Sequence, residues 1–321
     1  MKKIIVLAAV AAMLPVSLMA QTAPDGGLSP EVLSRISKGY TGTSYDKAVR
    51  NALAGSSVNV MATNAENASM IDTHFSDRVK TKGITDQKSS GRCWLFTGLN
   101  VLRAKMIEKY NLGSFTFSQN YLFFYDQLEK ANLFLQGVID TRKLPFDDRK
   151  VDWLFSNPLS DGGQFTGVSD LAMKYGLVPS EVMPETYSSN NTSQMALQLK
   201  TILRQGGLAL RAAYDASPAA SAKGKNAAAA EAKVNAELLK IKESVLTDVY
   251  RVLSLCLGVP PASFEWSMYD SSDKLVSTEE YTPLSFYKKY VDEDLDGNYV
   301  MLMNDPTREY GKVYEIDYDR H

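Results

Sequence analysis

The sequence has little of what metal and disulfide chemistry usually requires. Its 321 residues include two cysteines and two histidines, too few for a disulfide framework or a histidine-rich metal centre. It also lacks a charge imbalance, with 35 Lys and Arg against 37 Asp and Glu for a formal net charge of −2. That balance argues against a strongly basic nucleic-acid surface and implies no polyanion partner. Long apolar runs are missing after the N-terminus, so no later window is long enough to span a bilayer. With 45% hydrophobic and 22% charged residues, 20 Gly and 12 Pro, the composition is globular, and the length suits one large or two modest domains with a sizeable core.

The N-terminus reads as an address label. Lys2-Lys3 is a short basic region, Ile4 to Leu14 is an almost unbroken apolar run, and Leu18-Met19-Ala20 ends in a small residue before polar Gln21-Thr22. This is the pattern of a Sec-type signal peptide over 1–20. Pro15 and Ser17 interrupt the run before it reaches the length of a membrane span. The expectation is an exported chain, periplasmic or extracellular, with no membrane span after cleavage.

Residues 21–75 are rich in Ser, Thr, Ala, Gly and Asn and read as an arm with at most one short helix, Pro30 to Lys38, capped by Ser29 with Pro30 at its first position. Gly83 to Gly91 is punctuated as a loop. After it, Leu95, Leu99, Leu102 and Met106 fall at helical spacing with Arg103, Lys105 and Glu108 outside the stripe, so a buried helix is expected from about Cys93. Ser118 to Leu135 reads as a packed interior helix. Asp161-Gly162-Gly163 is a turn into a helix over Val168 to Tyr175, closed by Gly176. Residues 213–233 are Ala-rich and broken by Pro218 and Gly224, as a linker or exposed helix. A helical pattern returns from Val234 to Leu257, ended by Gly258 and Pro260-Pro261. After Tyr281 the period shifts towards two: Tyr299 to Met303 reads as a buried strand and Val313 to Tyr318 as a half-buried one. Since a sheet that has just begun ends at His321 with open edges, the sequence is read as a fragment or a prematurely ended chain. Asp292 to Gly297 matches the first half of a calcium loop, but its twelfth position is Met303 rather than Glu, which favours a solvated acidic turn.

The most informative stretch is Gln87-Lys88-Ser89-Ser90-Gly91-Arg92-Cys93-Trp94-Leu95-Phe96. Cys93 sits where a loop becomes a helix, near the positive end of the helix dipole and beside free backbone N–H groups, both of which favour thiolate over thiol. Those N–H groups, with the Gln87 amide six residues upstream, could hold the oxyanion formed when sulfur attacks a carbonyl. The plainer reading is a small buried apolar residue, the commoner fate of a free cysteine. A buried structural thiol is likewise the default for Cys256. Export to an oxidising compartment raises a Cys93–Cys256 disulfide, which would silence the nucleophile; nothing in the sequence brings the two together.

Gln-x-x-x-Gly-x-Cys-Trp resembles the nucleophile signature of papain-like cysteine peptidases, and QKSSGRCWLFTGLNVLR is similar to the bleomycin hydrolase and aminopeptidase C branch. FSQNYLFFYDQLEKANLFL, DGGQFTGVSDLAMKYGLVPSEVMPETYSS, LGVPPASFEW, TPLSFYKKYV and MLMNDP resemble segments of that branch in the same order, so the likeness runs from about Asp77 to Tyr318. It implies Cys93 as nucleophile, Gln87 as the oxyanion-hole side chain, and Gly162, Gly163 and Trp94 as substrate-binding residues, the glycines pairing with peptide backbone. It also implies a papain-like α+β fold. Residues 76–280 would be a helical left lobe with an insertion at about 190–260, and 281–321 the beginning of a right-hand β lobe. The implied function is that of a thiol aminopeptidase acting on peptides through an acyl-enzyme, with no cofactor, in a homo-oligomer that is hexameric in the family. The departure is the general base and its orienting partner: the expected His and Asn motifs are missing. His74 precedes the nucleophile and reads as structural, and His321 is the last residue. By this reading the chain alone is inactive. Two further readings stand beside it, a non-catalytic peptide-binding pseudoenzyme and a truncated gene product.

Overall fold

The computed structural model describes residues 27–79, 81–291, 293–300, 302 and 304–314. The signal peptide expected over 1–20, the last part of the strand expected from Val313 and His321 lie outside the described residues. The chain divides into two compact units, one up to Ser76 and one from Asp77 onward.

In the first unit the structure holds four helices where the sequence reading allowed one: α1 (Pro30–Gly39), α2 (Ser44–Gly55), α3 (Val58–Ala62) and α4 (Ala65–Met70). Capping explains the difference. Ser29, Thr43, Ser57 and Asn64 each accept a hydrogen bond from the first turn of the helix that follows, and Thr43 and Asp46 form a reciprocal capping box. These are local signals that a reading based on apolar periodicity passes over.

The second unit is a helical body around one continuous core. α5 (Cys93–Lys109) buries Leu95, Leu99, Leu102 and Met106 as expected. Arg103, expected outside the stripe, is buried: its guanidinium donates to the Gly83 carbonyl at 2.9 Å and to Thr116 Oγ1 at 3.3 Å. An arginine can be buried where carbonyl oxygens replace its water. α6 (Gln119–Asp140), capped by Ser118, is buried on several faces and runs past the expected end. α7 (Arg149–Ser156) follows, then α8 (Phe165–Tyr175), which packs on α5 and α6. Gly176 closes α8 at φ +78° with its Cα against the Pro283 backbone, a position that needs glycine twice over.

After the short α9 (Tyr187–Asn190), α10 (Ser193–Asp215) and α11 (Ala227–Leu257) form a helical hairpin packed on α6. The Ala-rich stretch between them makes two short 3₁₀ turns, Pro218–Ala220 and Gly224–Asn226, and buries Ala219. It is therefore the hairpin's turn rather than a free linker. A Cβ on Gly206 would stand 2.7 Å from the Val245 methyls, so glycine there lets the two helices approach closely.

β1 (Phe264–Tyr269) and β2 (Leu275–Tyr281) pair antiparallel, Phe264 opposite Tyr281, with a bulge between Met268 and Tyr269. The inward face of β1 is Phe264, Trp266 and Met268, and it joins Phe115, Phe117 and Phe286 in an aromatic cluster of edge-to-face and tilted rings. α12 (Pro283–Tyr290) follows, with Pro283 at its first position and a Thr282/Ser285 capping box. The expected β lobe after Tyr281 thus begins with a helix. Val300 and Leu302 are exposed, as is Val313, and no strand occurs among the described residues of 299–314. Alternation without a neighbouring strand to pair with does not make a sheet. In the acidic turn Gly297 N–H donates to Asp294 at 3.0 Å and Ser169 Oγ to Asp296 at 3.4 Å. No described helix is long and apolar enough to cross a membrane.

Candidate active site

Cys93 is the first residue of α5, exposed, and a free thiol, as is Cys256. No side chain caps α5; the N–H groups of Leu95 and Phe96 return to the Arg92 carbonyl, and those of Cys93 and Trp94 have no partner among the described residues. The sulfur therefore shares the open end of a buried helix with unpaired donors, an arrangement that suits an oxyanion.

The turn carrying Cys93 is fastened on every side. Arg92 is fully buried and forms a two-pronged ion pair with Glu185, at 3.0 Å and 2.8 Å, while its plane lies 5.0 Å and 5.1 Å from the Phe96 and Phe123 ring centres. Ser189 Oγ donates to the same carboxylate at 2.6 Å. Ser89 bridges to the α9–α10 junction, its N–H donating to the Asn190 carbonyl at 3.0 Å. Gln87 is half-buried; its amide donates to the Ser90 carbonyl, and Ser90 Oγ donates back to the Gln87 carbonyl at 2.6 Å. One of its two amide hydrogens is thus used inside the loop.

The glycine pair lies directly against the start of α5. Trp94 is buried, donates from its indole N–H to the Asp161 carbonyl at 3.0 Å, and would touch a Cβ on Gly163 at 2.7 Å. Gly162 is occupied on both sides: its N–H donates to Ser160 Oγ at 3.1 Å and its carbonyl accepts from Lys130 Nζ at 2.6 Å. Lys130 is in turn paired with buried Asp126 at 2.8 Å. Gly163 differs. It is exposed, and neither its N–H nor its carbonyl has a partner among the described residues. Exposed backbone with unpaired N–H and carbonyl groups can hydrogen-bond an added peptide.

Asp161 joins the two parts. Its Oδ2 accepts the Gly91 N–H and the Thr192 hydroxyl, each at 2.7 Å. Burial works against its charge, but the Gly91 N–H, Thr192 hydroxyl, its own N–H and the Lys130 ammonium outweigh burial and hold the carboxyl below its ordinary value of 3.8. Of the site residues named from the sequence, Cys93, Trp94 and the glycines lie together here with Gln87 in the adjoining loop; Asp161, Arg92, Glu185, Lys130 and Thr192 are not among those named. Charges beside the motif were the available signal, but the partners of Asp161 and Arg92 that tie the site together lie 31 to 93 residues away. His74 belongs to the first unit, exposed, with its N–H on Asp72 Oδ1 at 2.8 Å. Residues 77–314 contain no histidine, and no cluster of metal-ligating side chains occurs among the described residues.

Comparison with known proteins fits this geometry. The model of the peptidase C1-like family matches residues 27–321. Aminopeptidase C of Lactobacillus delbrueckii subsp. lactis is 39% identical over 250 residues, covering 77% of this chain and 52% of that protein. Aminopeptidase G of the same organism is 37% identical over 289 residues, covering 90% and 62%. The crystal structure of PepW from Lactobacillus rhamnosis HN001 superposes with a TM-score of 0.71 at 33% identity, covering 84% of this chain and 57% of that one. The chain thus spans between about half and two thirds of the length of these relatives. The likeness shows the papain-like α+β fold and the aminopeptidase branch read from the sequence. The chain belongs to the peptidase C1-like family.

Proposed function

We propose that the chain carries the nucleophile and the substrate strand of a cysteine aminopeptidase. The observation that carries the reading is the juxtaposition of an exposed Cys93 at the open end of α5 with an exposed Gly163 whose backbone is unpaired, the two joined through Trp94 and Asp161. A peptide lying along Gly163 presents its carbonyl carbon to Cys93 Sγ. The sulfur–carbon bond forms, the oxygen takes up charge among the Cys93 N–H and the Gln87 amide, and the carbon–nitrogen bond breaks as the amine leaves with a proton. Water then releases the acyl group and restores the thiol. The imidazole that moves the proton comes from polypeptide other than residues 77–314, which have none. No cofactor enters these steps. Trp94 serves the substrate by holding Gly163 in place. The aminopeptidase names of the relatives support an exopeptidase.

Replacing Cys93 by Ala is expected to remove iodoacetamide labelling at that site and to abolish peptide hydrolysis in a protein that contains the imidazole. Undiminished hydrolysis overturns the assignment. The same proposal includes export through cleavage after Ala20, supported by the 1–20 pattern and read by N-terminal sequencing of the secreted protein. It also includes a homo-oligomer, supported by the family resemblance and read by sedimentation.

A further inference from the structure

We propose that Asp161 is a positioning residue, which holds the nucleophile turn and the Gly162–Gly163 strand at a fixed separation so that a peptide bound along Gly163 meets Cys93 Sγ. The proposal rests on the reading of Cys93 as nucleophile and Gly163 as substrate strand.

Asp161 is tethered from both ends of the residue. Its side chain reaches the turn through the Gly91 N–H, two residues before the sulfur, and its main-chain carbonyl receives the indole N–H of Trp94, one residue after it. The next two residues are the glycine strand, and Lys130 and the Trp94 ring fix that strand in turn.

Two features show that the surroundings are arranged for this carboxylate. Thr192 occupies the N-cap position of α10 yet its side chain makes no bond to its own helix, whereas the side chains of Thr43, Thr186 and Thr282 all cap theirs. Its hydroxyl goes to Asp161 Oδ2 instead, so α10 gives up a cap to serve the acid. Gly91 is the second feature: a Cβ there would collide with the Asp161 carboxylate. Hydrogen bonds to an ionised carboxylate are stronger than neutral ones, and the groups around Asp161 keep it ionised.

The test compares two reagents on the full chain. Iodoacetamide alkylates Cys93 without using the glycine strand, and Cys256 serves as internal reference. A dipeptide aldehyde with a free amino terminus uses the strand: Cys93 Sγ adds to its carbonyl carbon, the thiol proton passes to the oxygen, and a hemithioacetal forms. Asp161→Ala is expected to weaken aldehyde binding by about tenfold while the alkylation rate stays within about twofold. Asp161→Asn keeps an oxygen within reach of both donors and is expected to restore binding to within about threefold of the unmodified chain. Unchanged aldehyde affinity in Asp161→Ala, or an equal fall in both readouts, overturns the positioning role. Should Asp161→Ala not fold, Gly91→Ala, which pushes the same carboxylate off the turn, is held to the same pattern. Failure of the unmodified chain to react with either reagent overturns the nucleophile reading itself. Normal binding that survives Asp161→Ala overturns the positioning role alone.

Discussion

Two adjacent glycines at the site differ in what surrounds them, and substituting each in turn separates packing from sequence motif. A Cβ on Gly163 stands 2.7 Å from Trp94 Cε2 and 2.8 Å from Cδ2, whereas the nearest atom to a Cβ on Gly162 is Ser160 Oγ at an ordinary 3.5 Å. The Trp94 ring has no freedom to withdraw: it is buried, bonded to the Asp161 carbonyl at 3.0 Å, and approached by Lys130 Nζ at 5.2 Å from its centre. The strand must therefore move by about 0.8 Å, an overpacking that costs about 1–3 kcal/mol. Gly162→Ala meets no such obstacle and gains about 0.4–1 kcal/mol from the stiffer unfolded chain. The pair should differ by about 2 kcal/mol, or about 4–8 °C in Tm for a unit of this size. Tryptophan fluorescence reports the melting of this unit specifically, because Trp94, Trp153 and Trp266 are the chain's three tryptophans and all lie beyond Asp77. Equal melting of the two variants, or a lower Tm for Gly162→Ala, would refute the argument. Peptide-aldehyde affinity should fall with Gly163→Ala as the strand moves off its register.

The buried Arg92–Glu185 pair gives an asymmetric expectation. Arg92 is 0% exposed in its side chain and Glu185 27%, so Glu185→Ala strands a charge without water and should cost about 3–5 kcal/mol in urea unfolding. Arg92→Met leaves an anion that water and Ser189 can still reach, and should cost measurably less. Gly176→Ala combines φ +78° with a collision against Pro283 backbone, and it should lower stability by more than about 2 kcal/mol while leaving Cys93 labelling intact. On acidification, Asp161 contributes stability that is complete above 3.8 and is lost as pH falls through its lower folded value. Asp161→Asn should therefore flatten the acid limb of a stability-against-pH curve, and an unchanged limb would remove Asp161 as its source.

What the sequence revealed of the fold follows the range of the forces involved. Apolar periodicity located α5, α6 and α11 from Val234 onward because each buries a stripe long enough to repeat, whereas α10 was covered only by the insertion at about 190–260 that the resemblance implies. N-cap chemistry is equally local but is read only at Ser29, so α2 to α4 and α12 are missed although Thr43/Asp46 and Thr282/Ser285 spell out their starts. The β1–β2 hairpin was overlooked for another reason. Its burial pattern alternates on β1, but β2 is exposed except at Tyr281 and half-exposed Ser277, so half of the hairpin carries no apolar signal. The opposite difference lies in the run Tyr299 to Met303, which reads as a strand, whereas its described residues Tyr299, Val300 and Leu302 form none and Val300 and Leu302 face solvent; Met301 and Met303 lie outside the described residues.

At the site the dividing line is sequence separation. Cys93, Trp94 and the glycines lie in contiguous motifs whose residue types suggest the proposed chemistry directly: a sulfur at a helix start, an indole, and backbone free of side chains. Asp161 and Arg92 stood in the same motifs, yet their roles depend on Thr192, Gly91 and Glu185, and nothing short of the folded chain supplies those partners. The site is therefore built in two grades. The groups proposed to react come from short local signatures, while their relative placement comes from charges whose meaning appears only in three dimensions. An acid adjoining a glycine pair, with no helix to cap and no neighbouring base in sequence, has to find its hydrogen-bond donors at a distance. Asp161 finds them on the turn that carries Cys93.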